Sequence, residues 1–454
     1  MYALGHELAQ TPTHKFDLAH MRVLLAALGN PEKQFSSVLI AGTNGKGSTA
    51  ATLASILQAS GLKTGLYTSP HLVCINERIR LNGAAIGSDD FAALHEVVDQ
   101  TSARLVQDGD LTWHPSFFET LTAMAFEHFS RTRPDMVVLE VGMGGRLDAT
   151  NVVDPRLSII TDISLDHQKY LGETVSEIAR EKAGILRRGG IAITLPQLPE
   201  ANDALGKAIL ELGAHAVDAV PYVPNFSGTN ISDSWPVANG QLDRWQKYPL
   251  EVMGTQITVE SPLVGRHQMR NLALAIAAAV ELRKQGTNQI TAETIAQGIR
   301  ETCWPGRFQV VPAAGDEPEY VFDVAHNPAG AWALRATLSD AYLNSGKNGL
   351  GNGREITMVF GVMRDKAVKE ITEILFPLAG HVIVTHADSP RSAGPDEIRL
   401  AAARVAAGVT MEEAEDVASA LERARKIAGA RGLVVVTGSI YIVGEAMRIL
   451  GARI

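Results

Sequence analysis

The sequence predicts an α/β protein of two doubly wound units, and three observations predict it. Short apolar runs alternate with helical patterns through both halves of the chain, a glycine-rich turn joins the first such run to the helix after it, and Pro305-Gly306 breaks the pattern before a fresh series begins. The boundary is therefore expected within 302–308.

Residues 16–28 place Met21, Leu24, Leu25 and Leu28 on one helical face, and Gly29-Asn30-Pro31 stops that helix. Val38, Leu39 and Ile40 are the apolar run of a buried strand, and Leu53, Ile56 and Leu57 recur at helical spacing after it. Between them Gly42, Gly45 and Gly47 let the backbone turn tightly, so that successive N–H groups and the helix start face an anion. Lys46 adds a full positive charge, and Ser48 a hydroxyl suited to a phosphate or its Mg²⁺. The ordinary phosphate loop has four residues between its first glycine and its Gly-Lys pair, whereas Gly42 and Gly45 are separated by only Thr43 and Asn44. The competing reading is a glycine-rich turn with a chance lysine. Even as a phosphate loop, it leaves binding, hydrolysis and group transfer open.

Residues 65–71 read as a second strand running into a Ser-Pro turn, followed by the charged stretch 76–83 and by helices near 89–106 and 117–129. The apolar strand at 136–141 includes Glu140 and runs into the turn Gly142-Met-Gly-Gly-Arg-Leu-Asp-Ala-Thr-Asn151. A carboxylate at the end of a buried strand is costly without a cation, so Glu140 is expected on the Mg²⁺ side; a hydrogen-bonded residue at the sheet edge is the alternative. The strand at 157–163 delivers Leu165-Asp166-His167 at its end, and for the histidine a metal or nucleotide role competes with a structural one. Arg180, Glu181 and Lys182 in the helix at 175–186 read, on pattern alone, as a solvated, salt-bridged face.

Residues 221–240 are rich in Pro, Asn, Ser and Gly and read as loop, and 250–263 alternates like one or two strands. An alanine-rich helix at 265–280 opens with Arg266, His267, Arg270 and Asn271, placed to meet phosphate or base, and its apolar body belongs to the core. Beyond the boundary, strands are expected at 320–324, 355–362, 381–385 and 432–437. Helices are expected from Ala329 and between 395 and 428, with a Gly/Asn-rich loop at 344–353.

At 454 residues, with 46% hydrophobic and 20% charged residues, the chain has the composition of a globular protein of two or three domains. A net charge of −9 without clustered Lys and Arg argues against nucleic-acid binding. Cys74 and Cys303 give neither a disulfide framework nor a zinc site, which fits a reducing cytoplasm. No leader pattern opens the chain and no apolar run approaches the ~18 residues of a membrane span, so no membrane role is expected.

Taken in order, 41–48 (AGTNGKGS), 67–71 (YTSPH), 139–151 (LEVGMGGRLDATN), 165–167 (LDH), 180–184 (REKAG), 305–307 (PGR) and 323–328 (DVAHNP) resemble the folylpolyglutamate and dihydrofolate synthases of the Mur ligase superfamily. The likeness runs to 438–441 (GSIY), and the short phosphate-loop spacing is that family's own form. It implies an N-terminal P-loop ATPase-like parallel-sheet domain over 1–303 and a smaller C-terminal Rossmann-like α/β glutamate-ligase domain over 304–454. The implied activity is an ATP-dependent amide ligase that works through an acyl phosphate, with L-glutamate joined to dihydropteroate, to a reduced folate, or to both.

By position the resemblance implies that Asn44, Gly45, Lys46, Gly47 and Ser48, with Asn271, Arg307 and Asp323, contact ATP. Ser69, Glu140 and His167 would ligate or support Mg²⁺, and Lys182 matches a lysine carbamylated to help hold a second Mg²⁺, which displaces the salt-bridge reading. Lys46 and Lys182 join His326 and Ser439 as the catalytic set. Phe118, Arg146 and Asp148 match the pterin side, with Asp148 its foremost polar contact, and 74–83 a mobile loop beside it. A cytoplasmic monomer is expected. The rival readings are a cell-wall Mur peptide ligase and, from another class, a nucleotide-driven switch or transport ATPase.

Overall fold

A computed structural model describes residues 18–224, 237–238, 241–242, 245–343, 354–405 and 408–453. The expected loop at 344–353, the start of the 16–28 helix and, of the expected loop at 221–240, residues 225–236 and 239–240 lie outside these residues.

The first unit is a three-layer sandwich around an eight-stranded sheet. Its strands are β1 (Ser37–Ala41), β2 (Thr64–Tyr67), β3 (Ile79–Leu81), β4 (Ala84–Ala85), β5 (Met136–Glu140), β6 (Leu157–Ile160), β7 (Ile191–Thr194) and β8 (His215–Asp218). They lie in the order β4-β3-β2-β5-β1-β6-β7-β8, and only β3 runs antiparallel to the others. Helices α1 (Leu18–Ala27), α2 (Lys46–Ala59), α3 (Ser88–Gln107), α4 (Phe117–Thr132), α5 (Gln168–Leu171), α6 (Val175–Ala183) and α7 (Pro199–Leu212) intervene. Alternate strand residues point to opposite faces. Accordingly, Leu39 and Ala41 enter a core with α1, α3, α4 and α6, while Val38 and Ile40 enter another with α2.

That second core is completed by α8 (Arg266–Lys284) and α9 (Ala292–Arg300), which follow the short hairpin of β9 (Val237–Ala238) and β10 (Gln241–Leu242) and the longer hairpin of β11 (Gln246–Val252) and β12 (Thr255–Ser261). Leu272 to Ala279 on α8 are all within 1% of full burial, so its alanine body is core on every side. Small side chains there let α8 approach α2 and the sheet closely.

The second unit has β13 (Gln309–Val311), β14 (Glu319–Asp323), β15 (Ile356–Phe360), β16 (His381–Val384), β17 (Thr410–Glu413) and β18 (Leu433–Thr437) in the order β13-β14-β18-β15-β16-β17. Only β13 runs antiparallel. Phe360 and Val384 face α10 (Pro328–Leu338), α11 (Val368–Leu375) and α12 (Pro395–Ala401), and Val359 and Ile383 face α13 (Val417–Ala428) and α14 (Ile440–Ile449).

The α/β class and the two doubly wound sheets match expectation. The charged stretch 76–83 is not merely polar loop: it supplies β3, which adds antiparallel to the edge of β2. The edge strands β4, β8, β13 and β17, with β3 and β7 just inside them, go beyond the expected strands; β4, β8 and β17 carry no distinct apolar run, since an edge strand is covered less than a central one. Among the described residues, no helix is long and apolar enough to cross a membrane.

Candidate functional site

The phosphate loop follows β1, and its three glycines are each demanded by a neighbour. A Cβ on Gly42 would lie 1.7 Å from Thr161 Oγ1, one on Gly45 2.1 Å from Asn271 Oδ1, and one on Gly47 2.7 Å from the Trp304 ring. Gly45 also sits at φ +90°, where side chains are strained. The short spacing therefore makes a turn braced by the loop after β6, by α8 and by the linker between the units, rather than a chance turn. Lys46 opens α2 and folds its Nζ back onto the carbonyls of Gly42 and Thr43, at 3.1 and 3.2 Å.

In front of the loop lies a cavity of about 540 Å³ whose walls come from both units. Ser69, Glu140, His167 and Lys182 reach it from the first unit, and Arg307, Asp323 and His326 from the second. Glu140 ends β5, is 4% exposed and accepts the Ser69 N–H at 3.1 Å. Burial pushes its carboxyl up, and the charges of Lys46 and Arg307 pull against that. Asp323 ends β14 and accepts the N–H groups of Phe308 and Ala325, both at 2.9 Å; burial lifts it to about 6 against the pull of Arg307.

Lys182 overturns the solvated-face reading. The Thr174–Glu177 capping box starts α6 so that Ile178, Ala179 and Lys182 turn inward, and Lys182 is 3% exposed. Its Nζ donates to the Gly42 carbonyl at 2.7 Å. Burial, reinforced by the charge of Lys46, lowers this amine to about 7. His167 is held in the left-handed region at φ 50°, and burial together with Lys366 and Lys46 keeps its ring neutral, at about 4.

A second cavity of about 230 Å³ opens from the same centre, sharing Ser69, His167, Arg307 and His326 with the first. Its far walls are apolar: Leu18 and Met21 from α1, Phe118 from α4, and Leu147 and Ala149 from the turn after β5. Gly142 is needed here too, because a Cβ would lie 2.5 Å from the Phe118 ring. Asp148 lines the cavity, yet its oxygens already accept from Met143 N–H, Thr150 N–H and the Thr150 hydroxyl, at 3.0, 3.0 and 2.5 Å. Arg146 is not brought in: it is 55% exposed and pairs with Glu181 at 2.9 Å. Ser439 lines this cavity while capping α14 through Tyr441 N–H at 3.1 Å.

Four polar groups here were not singled out by sequence. Glu119 points one oxygen at the Ser116 N–H, 2.7 Å away, and has His20 Nδ1 3.9 Å from the other. In the sequence it reads as an ordinary capping-box residue. Asp166, Asn327 and Lys366 meet across the two units, with Lys366 Nζ 2.8 Å and Asn327 Nδ2 3.2 Å from the Asp166 carboxylate. The Asp166 and Asn327 motifs were visible, but no local signal joins Lys366 to residues 200 positions earlier.

Nothing among the described residues gathers three or more His, Cys, Asp or Glu side chains as a metal cage. Mg²⁺ does not require one, since it keeps waters and phosphate oxygens and takes one or two carboxylates. The buried Glu140 carboxylate, the neutral His167 ring and the Ser69 hydroxyl fit that pattern of use.

Residues 116–279 match the Mur ligase middle domain, and residues 306–440 the Mur ligase glutamate ligase domain. The dihydrofolate synthase/folylpolyglutamate synthase of Bacillus subtilis is 33% identical over 435 residues, covering 94% of this chain and 93% of that protein. A probable bifunctional folylpolyglutamate synthase/dihydropteroate synthase of Haloferax volcanii is 36% identical over 430 residues, and there the chain spans only 47% of its relative. Among solved structures, Mycobacterium tuberculosis folylpolyglutamate synthase complexed with ADP and AMPPCP superposes with a TM-score of 0.85 at 32% identity, covering 96% of each chain. Escherichia coli FolC in complex with DHPP and ADP does so at 0.77 and 29%, over 98% and 95%.

Proposed function

The chain belongs to the folylpolyglutamate synthase and dihydrofolate synthase family of Mur ligases, and we propose that it joins the amine of L-glutamate to the carboxylate of dihydropteroate, of a reduced folate, or of both, at the expense of ATP. The observation that carries this reading is the continuity of the two cavities, one on a phosphate loop and one apolar, through a shared set of Ser69, His167, Arg307 and His326. A ligase needs a carboxylate brought to a γ-phosphate, and a switch or transport ATPase has no use for the second cavity. The family relatives favour the folate acceptor over the nucleotide-linked sugar of the cell-wall enzymes.

A carboxylate is a poor electrophile, so its oxygen first attacks the γ-phosphate of ATP, giving an acyl phosphate and ADP. The glutamate amine then attacks the acyl carbon, the tetrahedral intermediate loses phosphate, and an amide remains. In this reading Asn44, Gly45, Lys46, Gly47 and Ser48 cradle the phosphates, and Asn271, Arg307 and Asp323 hold the nucleotide from α8 and from the second unit. Lys46 and Arg307 offset the charge that builds on the transferring group, where positioning and electrostatics supply most of the catalysis. His326 and Ser439 stand on the side from which the amine arrives. Phe118 and the 142–149 turn take the flat acceptor ring, and the engagement of Asp148 makes Glu119 the freer carboxylate for its N–H groups.

Ser69, Glu140 and His167 would hold Mg²⁺, which when bound neutralises phosphate charge. An amine near pH 7 in its affinity for protons is nucleophilic in neutral water, so Lys182 is suited to add CO₂ and lose a proton, becoming a carbamate anion able to hold a second Mg²⁺. In this reading the domains span 1–303 and 304–454, and the enzyme is taken as a cytoplasmic monomer.

The test is phosphate release from ATP, Mg²⁺ and L-glutamate with dihydropteroate, with tetrahydrofolate, and with no acceptor. Release that requires either acceptor supports the ligase, and release with both makes it bifunctional. Equal release with none would return the switch or transport reading.

A further inference from the structure

The buried polar contact between the two units runs into the phosphate loop. Asp166, in the loop between β6 and α5, accepts from Lys366 Nζ at 2.8 Å on one oxygen and from Asn327 Nδ2 at 3.2 Å on the other. The same Asn327 amide donates to Asn44 Oδ1, in the phosphate loop, at 2.9 Å. Asn327 Oδ1 meanwhile caps α10 through the Gly330 N–H at 2.8 Å, which fixes the orientation of the amide. Asn327 is 3% exposed, and the Lys366 and Asp166 side chains are 9% and 10% exposed.

We propose that Asn327 and Lys366 are positioning residues for phosphoryl transfer: through Asp166 they clasp the second unit onto the first, and through Asn44 they set the phosphate loop only when the units are apposed. A buried ion pair suits such a clasp because the cost of drying the charges offsets much of their attraction. The apposed and parted arrangements then stay near balance, and a ligand on the phosphate loop tips the balance. The ordering keeps the acyl phosphate from forming while water still has access.

The kinetic half of this proposal rests on the ligase reading, whereas its structural half needs nucleotide alone. The variants are Lys366→Gln and Asn327→Ser, the second keeping a capping hydroxyl for α10 while removing the bridging amide. The expected result has three parts: kcat falls about 10- to 100-fold with the KM for glutamate nearly unchanged, more ATP is hydrolysed per amide made, and X-ray scattering of the non-hydrolysable ATP complex is less compact than wild type. A raised KM for glutamate at unchanged kcat would put Lys366 on the amine substrate and overturn the proposal, as would scattering identical to wild type for both variants. A wild type that ligates nothing would overturn the ligase reading and leave the scattering comparison to decide the clasp.

Discussion

An ammonium at Lys182 would face the Gly42 carbonyl from a side chain that water barely reaches, with Lys46 as a like charge nearby. Its proton affinity therefore falls on folding, to about 7 from an ordinary 10.5. In CO₂-free buffer the unfolded chain binds more protons between those two values, so stability rises with pH across that window, by at most about 1.4 kcal/mol per pH unit. Below about 7 both states are protonated and the slope vanishes. Urea midpoints of wild type and Lys182→Met should diverge accordingly, the variant lacking this slope, and parallel curves would refute a lowered amine. For activity, Lys182→Ala should lose about 100-fold or more in kcat and recover partly with added short carboxylic acids, which restore an anion. Gly45→Ala is expected to abolish ATP binding, measured by calorimetry, because the added carbon meets Asn271 and the backbone is left-handed.

Helices α2 and α9 cross where Gly298 sits, and a Cβ there would lie 2.3 Å from Ile56 Cα. Two effects of Gly298→Ala oppose one another. Helix propensity favours alanine by about 1 kcal/mol, and overpacking against a backbone that cannot move aside costs about 1–3 kcal/mol. The second wins, so a net destabilisation is expected in the denaturant midpoint, and a stabilised variant would mean that the helices part freely. At α6 the capping box is the lever: Thr174→Ala should cost about 1 kcal/mol and lower kcat as well, since α6 aims Lys182. The motifs at 41–48 and 139–151 were legible because their residues are contiguous in the chain, even though the neighbours that require the loop glycines, Thr161, Asn271 and Trp304, come from far along it. By contrast, the burial of Lys182 was invisible to the pattern of α6, which shows Arg180 and Glu181 on either side of the capping register just as a solvated helix does.

Contacts between the units lie on more than one side of the cleft. Besides the Asp166 clasp, the Leu72 carbonyl after β2 presses on α14, where a Cβ on Gly444 would come within 1.9 Å of it. Leu72 itself packs into the core of the second unit. In the proposed reading the nucleotide cradle lies mainly in the first unit while the reacting groups span both, so Gly444→Ala should lower kcat with little change in ATP affinity. Steady-state kinetics beside calorimetric ATP titration separate the two quantities, and an ATP affinity that falls in step with kcat would refute the separation.

By itself the sequence determined the α/β class, the two doubly wound units, the phosphate loop and the family, since period, glycine placement and motif order are local properties of the chain. Tertiary structure alone decided that Lys182 is dry, that Arg146 stays outside the apolar cavity, that Asp148 is occupied with its own turn, and that Lys366 lies against Asp166. Each of these depends on which surfaces are brought together and deprived of water, and burial is a property of the assembled fold rather than of any segment.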